Sequence, residues 1–377
     1  MRIYWESNLS VYRCIKCLNL STRPNSNFKQ GDLCEPCKYT ASQKTDYDKL
    51  TEQFFEYISS ITNSSDPKSL SFVLGVSGGK DSLRQAEFCR YALGINPTLV
   101  SVGYPPSMTS NLGVKNLKNL HDKGYEIYTA YPATKTYKEI AKYCFFELGN
   151  LKVAMEIALF NGAAKLADLA SADIILWGEN PTFSVGDSGS KGSSYFDGSA
   201  IHKINTLSLV DNLPPNFVRK NPFFYNVQEG VKQISSKLVF LGGIMPKWSQ
   251  IINGSFSIHR GFSPRKEELV DILNISAVDE DFVLINQYIK YLKYGFGRTT
   301  DILNEFIRDG IIERNEAIEL AKKYDSYEPK KEISRFASFI EVKEQTVWEE
   351  LFKNVNQEIF EIKNKYVHPS SILRDAT

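Results

Sequence analysis

A short glycine-containing loop between an apolar run and a helical run is the feature that most constrains the fold of this chain. The mostly apolar run from Leu70 to Val76 predicts a buried strand, and Leu83 to Leu93 has the spacing of a helix. The loop between them consists of Ser77, Gly78, Gly79, Lys80, Asp81 and Ser82. Glycines let a backbone approach a ligand closely, and the free N–H groups and dipole of a helix start favour negative charge. The sequence therefore predicts an anion-binding loop at the carboxyl end of a buried strand.

Alternating strands and helices are expected around this loop. Further strands are predicted at 98–102, 125–128, 173–177 and 237–242, and helices at 46–61, 111–121, 137–146 and 151–169. Such alternation is typical of an α/β fold with a doubly wound parallel sheet, which binds ligands at the carboxyl ends of its strands. The fourth strand is followed directly by Gly178, Glu179 and Asn180, so we expect these residues beside the loop.

Four of the six cysteines predict a metal site near the start of the chain. Cys14, Cys17, Cys34 and Cys37 form two C-x2-C pairs with sixteen residues between them. Two such pairs can present four thiolates at the corners of a tetrahedron, which is the geometry of a structural Zn²⁺ site. An iron–sulfur cluster, which four thiolates also suit, is the alternative. The other two cysteines, Cys89 and Cys144, lie in helix-like segments, where we expect them to be buried packing residues.

Composition narrows the classes of function. Lys and Arg total 45 against 44 Asp and Glu, so a chain-wide surface for nucleic acid is not expected. No apolar run reaches the roughly 18 residues that a membrane helix needs. The opening residues Met1 to Glu6 lack the apolar core of a signal peptide, and we therefore expect a cytoplasmic protein. In that compartment cysteines remain thiols or metal ligands.

The length of 377 residues suits two or three domains. We expect a zinc module at 1–45, an α/β domain at 46–250 and a helical domain at 251–377, with helices that include 266–272 and 346–365. Within the last domain, residues 293–301 (K-Y-G-F-G-R-T-T-D) predict either a second anion site around Arg298 or a plain turn between helices. Nine of the fifteen residues from Ser184 to Gly198 are Ser or Gly, which indicates a segment outside the core. It would be either a lid over the ligand or a solvated loop.

The loop sequence S-G-G-K-D-S resembles the pyrophosphate loop of the ATP pyrophosphatase (PP-loop, adenine nucleotide alpha hydrolase-like) superfamily. It differs from a Walker A loop, in which a Ser or Thr follows the lysine. The resemblance implies cleavage of ATP between its α and β phosphates, with AMP passing to an oxygen of the substrate. After the fourth strand this chain has G-E-N-P, where the tRNA-modifying branches have G-H-x-x-D-D. That difference weakens, without removing, the alternative of a tRNA thiolase.

Taken together, the four cysteines, S-G-G-K-D-S, W-G-E-N from Trp177 and K-Y-G-F-G-R-T-T-D from Lys293 are similar to one family. It is the N-acetyl sugar amidotransferases of the WbpG and PseA type, and the likeness covers essentially the whole chain. The resemblance implies conversion of a sugar's N-acetyl group to an acetamidino group in the synthesis of lipopolysaccharide O-antigen or flagellin glycan. The substrate would be a UDP-linked diacetamido uronic acid, or alternatively a nonulosonic acid or its CMP form.

Ammonia for such a reaction is expected from outside the chain. Position 2 is Arg, and neither Cys89 nor Cys144 has the flanking glycines of a glutaminase nucleophile. The resemblance implies a partner similar to histidine-biosynthesis glutaminases, with a cyclase-barrel homologue as a further candidate partner. A non-catalytic nucleotide-binding scaffold is the third interpretation.

The expected site combines the loop with residues placed by topology. Lys80 and Asp81 are the expected catalytic residues, and the loop residues 77–82 together with Gly178, Glu179 and Asn180 are expected to bind ATP and pyrophosphate with Mg²⁺. Tyr104, Asn111 and Arg298 are expected to contact the sugar.

Overall fold

The computed structural model describes residues 11–42, 46–106, 108–226, 234–266, 271–276, 278–280, 282–363 and 366–369. Within these ranges no helix is long and apolar enough to cross a membrane. The predicted helix at 266–272 lies largely outside the described residues, because 267–270 are not among them.

Five short strands form the central sheet. They are β1 (Phe72–Gly75), β2 (Thr98–Val102), β3 (Ile127–Ala130), β4 (Ile174–Trp177) and β5 (Lys237–Phe240). All neighbours pair in parallel in the order β3-β2-β1-β4-β5. The chain steps outward from β1 to β3 and then returns to the other side of β1, so the order reverses between β1 and β4. A crevice opens at the carboxyl ends of strands where the order reverses, which is where such sheets bind ligands.

Helices cover both faces of the sheet, which confirms the predicted doubly wound α/β fold. The helices of this part of the chain are, in order, α1 (Glu35–Ser42), α2 (Tyr47–Thr62), α3 (Lys80–Phe88), α4 (Asn111–Asp122), α5 (Thr134–Leu148), α6 (Val153–Leu169), α7 (Pro181–Ser184), α8 (Pro215–Lys220), α9 (Pro222–Tyr225) and α10 (Gln250–His259). Successive strand residues point to opposite faces. On β1, Val73 packs in the apolar cluster that contains Ala163 of α6, whereas Leu74 packs in the cluster that contains Leu83 of α3.

The carboxyl-terminal part is mainly helical and ends in a hairpin. It contains α11 (Val283–Tyr294), α12 (Arg298–Arg308), α13 (Arg314–Asp325), α14 (Lys330–Phe339), α15 (Glu344–Lys353), β6 (Phe360–Lys363) and β7 (Tyr366–Pro369). The prediction of one helix over 346–365 is wrong beyond Lys353. Asn354 donates its side-chain amide to the carbonyl of Glu350, and Asn356 N–H bonds to the carbonyl of Leu292 on α11. These bonds end the helix and turn the chain back onto α11.

The segment Ser184–Gly198 is folded against the sheet, so its assignment outside the core is wrong. Phe196 is buried and packs edge-on against Phe54 of α2 at 5.6 Å between ring centroids. Asp197 accepts hydrogen bonds from the N–H groups of Ser193 and Ser199 and pairs as a bridge with Val239 of β5. The carboxylate of Asp197 thus provides a hydrogen-bond acceptor for backbone N–H groups in and next to this Ser- and Gly-rich segment.

The expected domain boundaries stay predictions. The boundary at 45/46 falls just before α2, and the boundary at 250/251 falls at the first residue of α10. Helix α10 packs on α3, where the Ser257 hydroxyl donates to the carbonyl of Lys80 at 2.6 Å.

Candidate functional site

The loop after β1 has the backbone of an anion-binding turn. Gly78 has φ of +77°, a conformation that side chains other than glycine rarely adopt, and a Cβ there would lie 2.7 Å from the backbone nitrogen of Leu117 in α4. Gly79 precedes α3 in extended conformation, and no side chain among the described residues caps the helix. The Ser77 N–H donates to the Ser82 hydroxyl at 3.1 Å, which closes the loop over the helix start. The first N–H groups of α3 are therefore available to an oxyanion.

Lys80 and Asp81 form a braced pair at the start of α3. Lys80 is only 2 % exposed, and its Nζ lies 2.5 Å from Oδ2 of Asp81. The other carboxylate oxygen, Oδ1, accepts a hydrogen bond of 2.6 Å from the side-chain amide of Asn253 on α10. Arg84 of α3 donates in turn to the Asn253 carbonyl oxygen. Contacts at both of its oxygens thus hold the Asp81 carboxylate beside the Lys80 ammonium group.

Asn253 and Ser257, which hold this pair from α10, are site residues that the sequence reasoning missed. Both are fully buried and stand four residues apart, so they share one face of α10. The sequence signal for them is their spacing, because polar side chains four residues apart in a helical segment lie on the same face.

Glu179 lies beside the loop, as its place after β4 predicts. Burial, and next the carboxylate of Asp81, raise the pKa of Glu179, whereas Lys80 and Arg298 lower it. The backbone beside it is tightly packed, because the carbonyl of Gly178 accepts from Gly242 N–H at 2.8 Å and a Cβ on Gly178 would meet the Gln85 amide at 2.6 Å. Glu179 and the Lys80–Asp81 pair therefore share one electrostatic environment at the carboxyl edge of β1 and β4.

Arg298 joins this site from the carboxyl-terminal helices. Burial lowers the pKa of Arg298, but the surrounding carboxylates outweigh burial and raise it, first Asp301 and Asp271 and then Glu179 and Asp81. The helix start that carries it is already occupied, because Asp325 accepts the N–H groups of Thr299 and Thr300. The backbone of this turn is thus a capped helix start, and the side chain of Arg298 is the part that reaches the site.

Asn180 and Tyr104 are buried, and Asn111 is exposed. Asn180 caps α7, where its carbonyl oxygen accepts from Thr182 N–H and its amide donates to the carbonyl of Tyr195 at 2.9 Å. Tyr104 is 5 % exposed behind Lys152, whose Nζ lies 3.4 Å from the tyrosine hydroxyl. Asn111 is the first residue of α4. Contacts of these three residues with ATP or sugar stay predictions.

The four predicted cysteines come together as a metal site. Cys14, Cys17, Cys34 and Cys37 are all buried, and their Sγ atoms lie within 4.8 Å of one another. Cys17 Sγ and Cys34 Sγ are 3.6 Å apart, close to the roughly 3.8 Å that a tetrahedral ion with metal–sulfur bonds of about 2.3 Å imposes. Cys34 N–H donates to Cys14 Sγ at 3.3 Å, a bond that favours the thiolate. The donor set and its spacing therefore fit a bound metal.

The cysteine module docks on α12. Cys14, Cys17 and Phe28 share an apolar cluster with Ile302 and Phe306. Three polar contacts fix its orientation, namely Leu18 N–H to Asn304 Oδ1 at 2.7 Å, the Thr22 hydroxyl to the Tyr294 carbonyl at 2.6 Å, and Arg23 to Asp301 at 2.5 Å. The module thus supports the helix that presents Arg298.

A cavity of about 500 Å³ opens beside Glu179. It lies at the ends of β4 and β5 and is lined by Asn180, Gly242, Trp248 and Glu305 among others. With the loop on one side and this cavity on the other, Glu179 stands between an anion-binding turn and an opening to the surface.

Comparison with known proteins finds a family model that matches the carboxyl-terminal part of the chain. Residues 270–372 match the family described as "LPS biosynthesis protein WbpG-like, C-terminal domain", which confirms the expected resemblance. The comparison with curated proteins found no match.

Three solved structures are among those similar to this chain. The U34-tRNA thiolase NcsA from Methanococcus maripaludis, described with its [4Fe-4S] cluster, has 15 % identity and a TM-score of 0.32, covering 82 % of this chain and 88 % of its own. NMN synthetase from Francisella tularensis has 11 % identity and a TM-score of 0.32, covering 75 % and 94 %. The NH3-dependent NAD synthetase from Campylobacter jejuni has 19 % identity and a TM-score of 0.25, covering 57 % and 84 %. At these TM-scores the assignment of the fold rests on the strand order and the loop themselves.

Proposed function

We propose that this chain, whose carboxyl-terminal domain is WbpG-like, is an ATP-dependent amidotransferase acting on a nucleotide-activated N-acetyl sugar. It would convert an N-acetyl group to an acetamidino group in the cytoplasmic synthesis of a bacterial surface glycan. One observation carries the proposal. The loop after β1, Glu179 after β4 and Arg298 of the WbpG-like region converge at one edge of the sheet.

The chemistry requires that the amide be activated, because its oxygen is a poor leaving group. Attack of the amide oxygen on the α phosphate of ATP forms a P–O bond and releases pyrophosphate, which leaves an O-adenylyl imidate. Ammonia then adds to the imidate carbon, and AMP departs with the former amide oxygen. The product carries NH in place of that oxygen, so it is lighter by about one mass unit.

The residues of the loop suit the first step. The N–H groups of Gly78, Gly79 and the start of α3 would bind the β and γ phosphates, and Lys80 would neutralise charge as pyrophosphate leaves. The bonds from Asn253 and Ser257 hold Lys80 and Asp81 in place beforehand. Arg298 would hold the acceptor or the α phosphate beside Glu179.

Asp81 and Glu179 fit the binding of Mg²⁺. Their carboxylates are near enough for Asp81 to raise the pKa of Glu179, and paired carboxylate oxygens are ligands that Mg²⁺ takes. A bound Mg²⁺ would offset the negative charge of the phosphates.

We propose Zn²⁺ for the four-cysteine site. A single ion holds its four sulfurs as close together as they lie here, whereas a four-iron cube would hold them farther apart. Four thiolates leave no open position, which supports a structural role.

Ammonia would come from a glutaminase partner. Cys89 and Cys144 are both fully buried, and burial raises the pKa of each thiol well above its usual range. Neither therefore suits the nucleophile of a built-in glutaminase. Purified chain should use ammonium far better than glutamine, and equal use of both would contradict the partner.

An isotope experiment tests the reaction. The chain is incubated with ATP, ammonium and N-acetylated nucleotide sugars whose acetyl oxygen is ¹⁸O, and the products are weighed by mass spectrometry. We expect pyrophosphate, and AMP that carries the label. ADP formation or unlabelled AMP would exclude adenylylation of the amide. Turnover that depends on tRNA and a sulfur donor would instead favour the tRNA thiolase alternative.

A further inference from the structure

Helix α12 presents a carboxylate to the cavity that opens beside Glu179. Glu305 lies two helical turns after Arg298, so the two side chains share one face of α12 and are about 10 Å apart along its axis. Glu179 and Glu305 line this cavity of about 500 Å³ together with the exposed residues Asp309 and Ile311. One face of α12 therefore leads from Arg298, at the proposed reaction centre, past Glu305 to an opening at the surface.

The carboxylate of Glu305 has one oxygen engaged and one open. Its Oε1 accepts the N–H of Gln250, the first residue of α10. Its Oε2 receives no hydrogen bond from any described residue, and no lysine or arginine of the described ranges forms an ion pair with it. Arg308, one turn further along α12, donates instead to the carbonyl of Ser184 at 3.4 Å. A carboxylate oxygen that is open to a cavity can accept a proton from a ligand.

The surroundings of Glu305 make it a stronger base than an ordinary glutamate. Burial raises the pKa of Glu305 to about 8, although the N–H of Gln250 lowers it. Among the nearby charges, Glu179 and Asp309 raise this pKa and Arg308 lowers it. The other ionisable side chains that line the cavity are Tyr39, Tyr47, Tyr195 and Lys247. A proton acceptor works best when its pKa lies near the working pH, which an ordinary carboxylate does not reach.

The cavity suits a small cation that must lose a proton. Glu179, Glu305 and Asp309 bring three carboxylates to it. Of its two cationic side chains, Lys247 is exposed and Arg308 contacts a backbone carbonyl. The proposed reaction consumes ammonia, which at neutral pH is present mainly as ammonium and has no free electron pair in that form. A reaction of this kind therefore needs a proton acceptor on the way to its reaction centre.

We propose that Glu305 takes a proton from ammonium in this cavity and releases ammonia toward the imidate carbon beside Glu179. The inference rests on the proposed function and adds to it a catalytic residue that none of the sequence motifs contains. The Glu305 carboxylate becomes the neutral acid as ammonium becomes ammonia. The electron pair of the nitrogen then forms the C–N bond, and the C–O bond to AMP breaks with its electrons on oxygen. The nitrogen passes one proton to the departing phosphate, and Glu305 returns its own proton to solvent.

Kinetics with two nucleophiles test this role. Ammonium carries an extra proton at neutral pH, whereas hydroxylamine is uncharged there and needs no base to free its nitrogen. Each is supplied, with ATP and the ¹⁸O-labelled nucleotide sugars described above, to the wild type and to Glu305→Gln, and labelled AMP is followed by mass spectrometry. Glutamine keeps an acceptor for the N–H of Gln250 and removes only the charge. Glu319→Gln on α13, where the side chain is 72 % exposed, is the matched control.

We expect Glu305→Gln to lose at least about tenfold in kcat/KM for ammonium at neutral pH and less than about twofold for hydroxylamine. Glu319→Gln should match the wild type with both nucleophiles. The loss with ammonium should shrink as the pH rises, because free ammonia then becomes available without a base. Equal losses with both nucleophiles would show that Glu305 only supports the start of α10. That result overturns the inference, as does undiminished use of ammonium by Glu305→Gln.

A direct probe separates this inference from the proposed function. Thallium(I) has the charge and nearly the size of ammonium, and anomalous scattering locates it in crystals soaked in thallium acetate. We expect it beside the Glu305 carboxylate in the wild type and not in Glu305→Gln. Thallium at Glu305 in a wild type that forms no labelled AMP with either nucleophile would sustain the cation site and refute the reaction. Labelled AMP from a wild type that binds no thallium at Glu305 would sustain the reaction and refute the site.

Discussion

Replacing Asp301 by asparagine should loosen the cysteine module from the helix that carries Arg298. Arg23 of the module and Lys290 of α11 both contact the carboxylate of Asp301, at 2.5 Å each. The side chains of Asp301, Arg23 and Lys290 are 8 %, 7 % and 21 % exposed, so these charges are largely shielded from water. Asparagine keeps the shape of the side chain but removes the negative charge, which leaves two buried cations without their anion.

The size of the effect follows from that burial. Removing one partner of a buried ion pair costs about 3–5 kcal/mol, because the remaining charge stays desolvated. Burial raises the pKa of Asp301, but Lys290, Arg23 and Arg298 outweigh burial and hold the pKa well below its usual range. The stabilisation is therefore fully present above pH about 4, the pKa of an unfolded aspartate, and is lost as the pH falls toward the pKa in the folded state.

Urea unfolding at neutral pH measures the change in the free energy of unfolding. The matched control is Asp122→Asn, which breaks the pair between Lys118 and Asp122 at 2.6 Å on the surface of α4. Those side chains are 68 % and 59 % exposed, and such a pair contributes no more than about 0.5 kcal/mol. If Asp301→Asn lies within about 1 kcal/mol of the control, the Asp301 contacts do not hold the module as we describe.

Three further perturbations test other parts of the structure. Gly78→Ala should reduce binding of a fluorescent ATP analogue at least tenfold, because the added Cβ would lie 2.7 Å from the backbone nitrogen of Leu117. The control is Gly124→Ala, which has nearly the same φ but no atom within 4 Å of the added Cβ, and it should bind the analogue normally. Equal binding by the two variants would contradict the close contact at Gly78. Cys34→Ser should lose the metal that elemental analysis finds in the wild type, whereas Cys89→Ser should keep it, and retained metal in Cys34→Ser would count against the four-cysteine site. Burial raises the pKa of Glu280 to about 8, so the wild type should lose stability as the pH rises from about 5 toward 8, because the unfolded glutamate releases its proton earlier. In Glu280→Gln the free energy of unfolding should fall less steeply with pH than in the wild type, by up to about 1.4 kcal/mol per pH unit. Identical slopes in the wild type and Glu280→Gln would refute the raised pKa.

The features that were predicted correctly from the sequence are those that depend on local geometry. The loop from Ser77 to Ser82 needs only a strand before it and a helix after it, and the C-x2-C pairs need only tight turns. Both appear in the structure as predicted. The prediction for Ser184–Gly198 is wrong because composition does not show that the carboxylate of Asp197 accepts the backbone N–H groups of Ser193 and Ser199.

Contacts between distant segments could not be predicted in detail. The motif at residues 293–301 predicts an anion site around Arg298, yet the proximity of Arg298 to Glu179 depends on how α12 packs on the sheet domain. Asn253 belongs to a helix that has no visible link to Asp81 along the chain, since 172 residues separate them.

The three parts of the chain depend on each other through α12. The module contacts this helix from one side, through Leu18 to Asn304 and Arg23 to Asp301. From the opposite side of the turn, Asp325 of α13 bonds the first N–H groups of the same helix. Because α12 is held by both neighbours, these contacts help to fix the position of Arg298, the first residue of the helix. A metal bound by the four cysteines would then influence where the guanidinium of Arg298 lies, through the contacts of the module with α12.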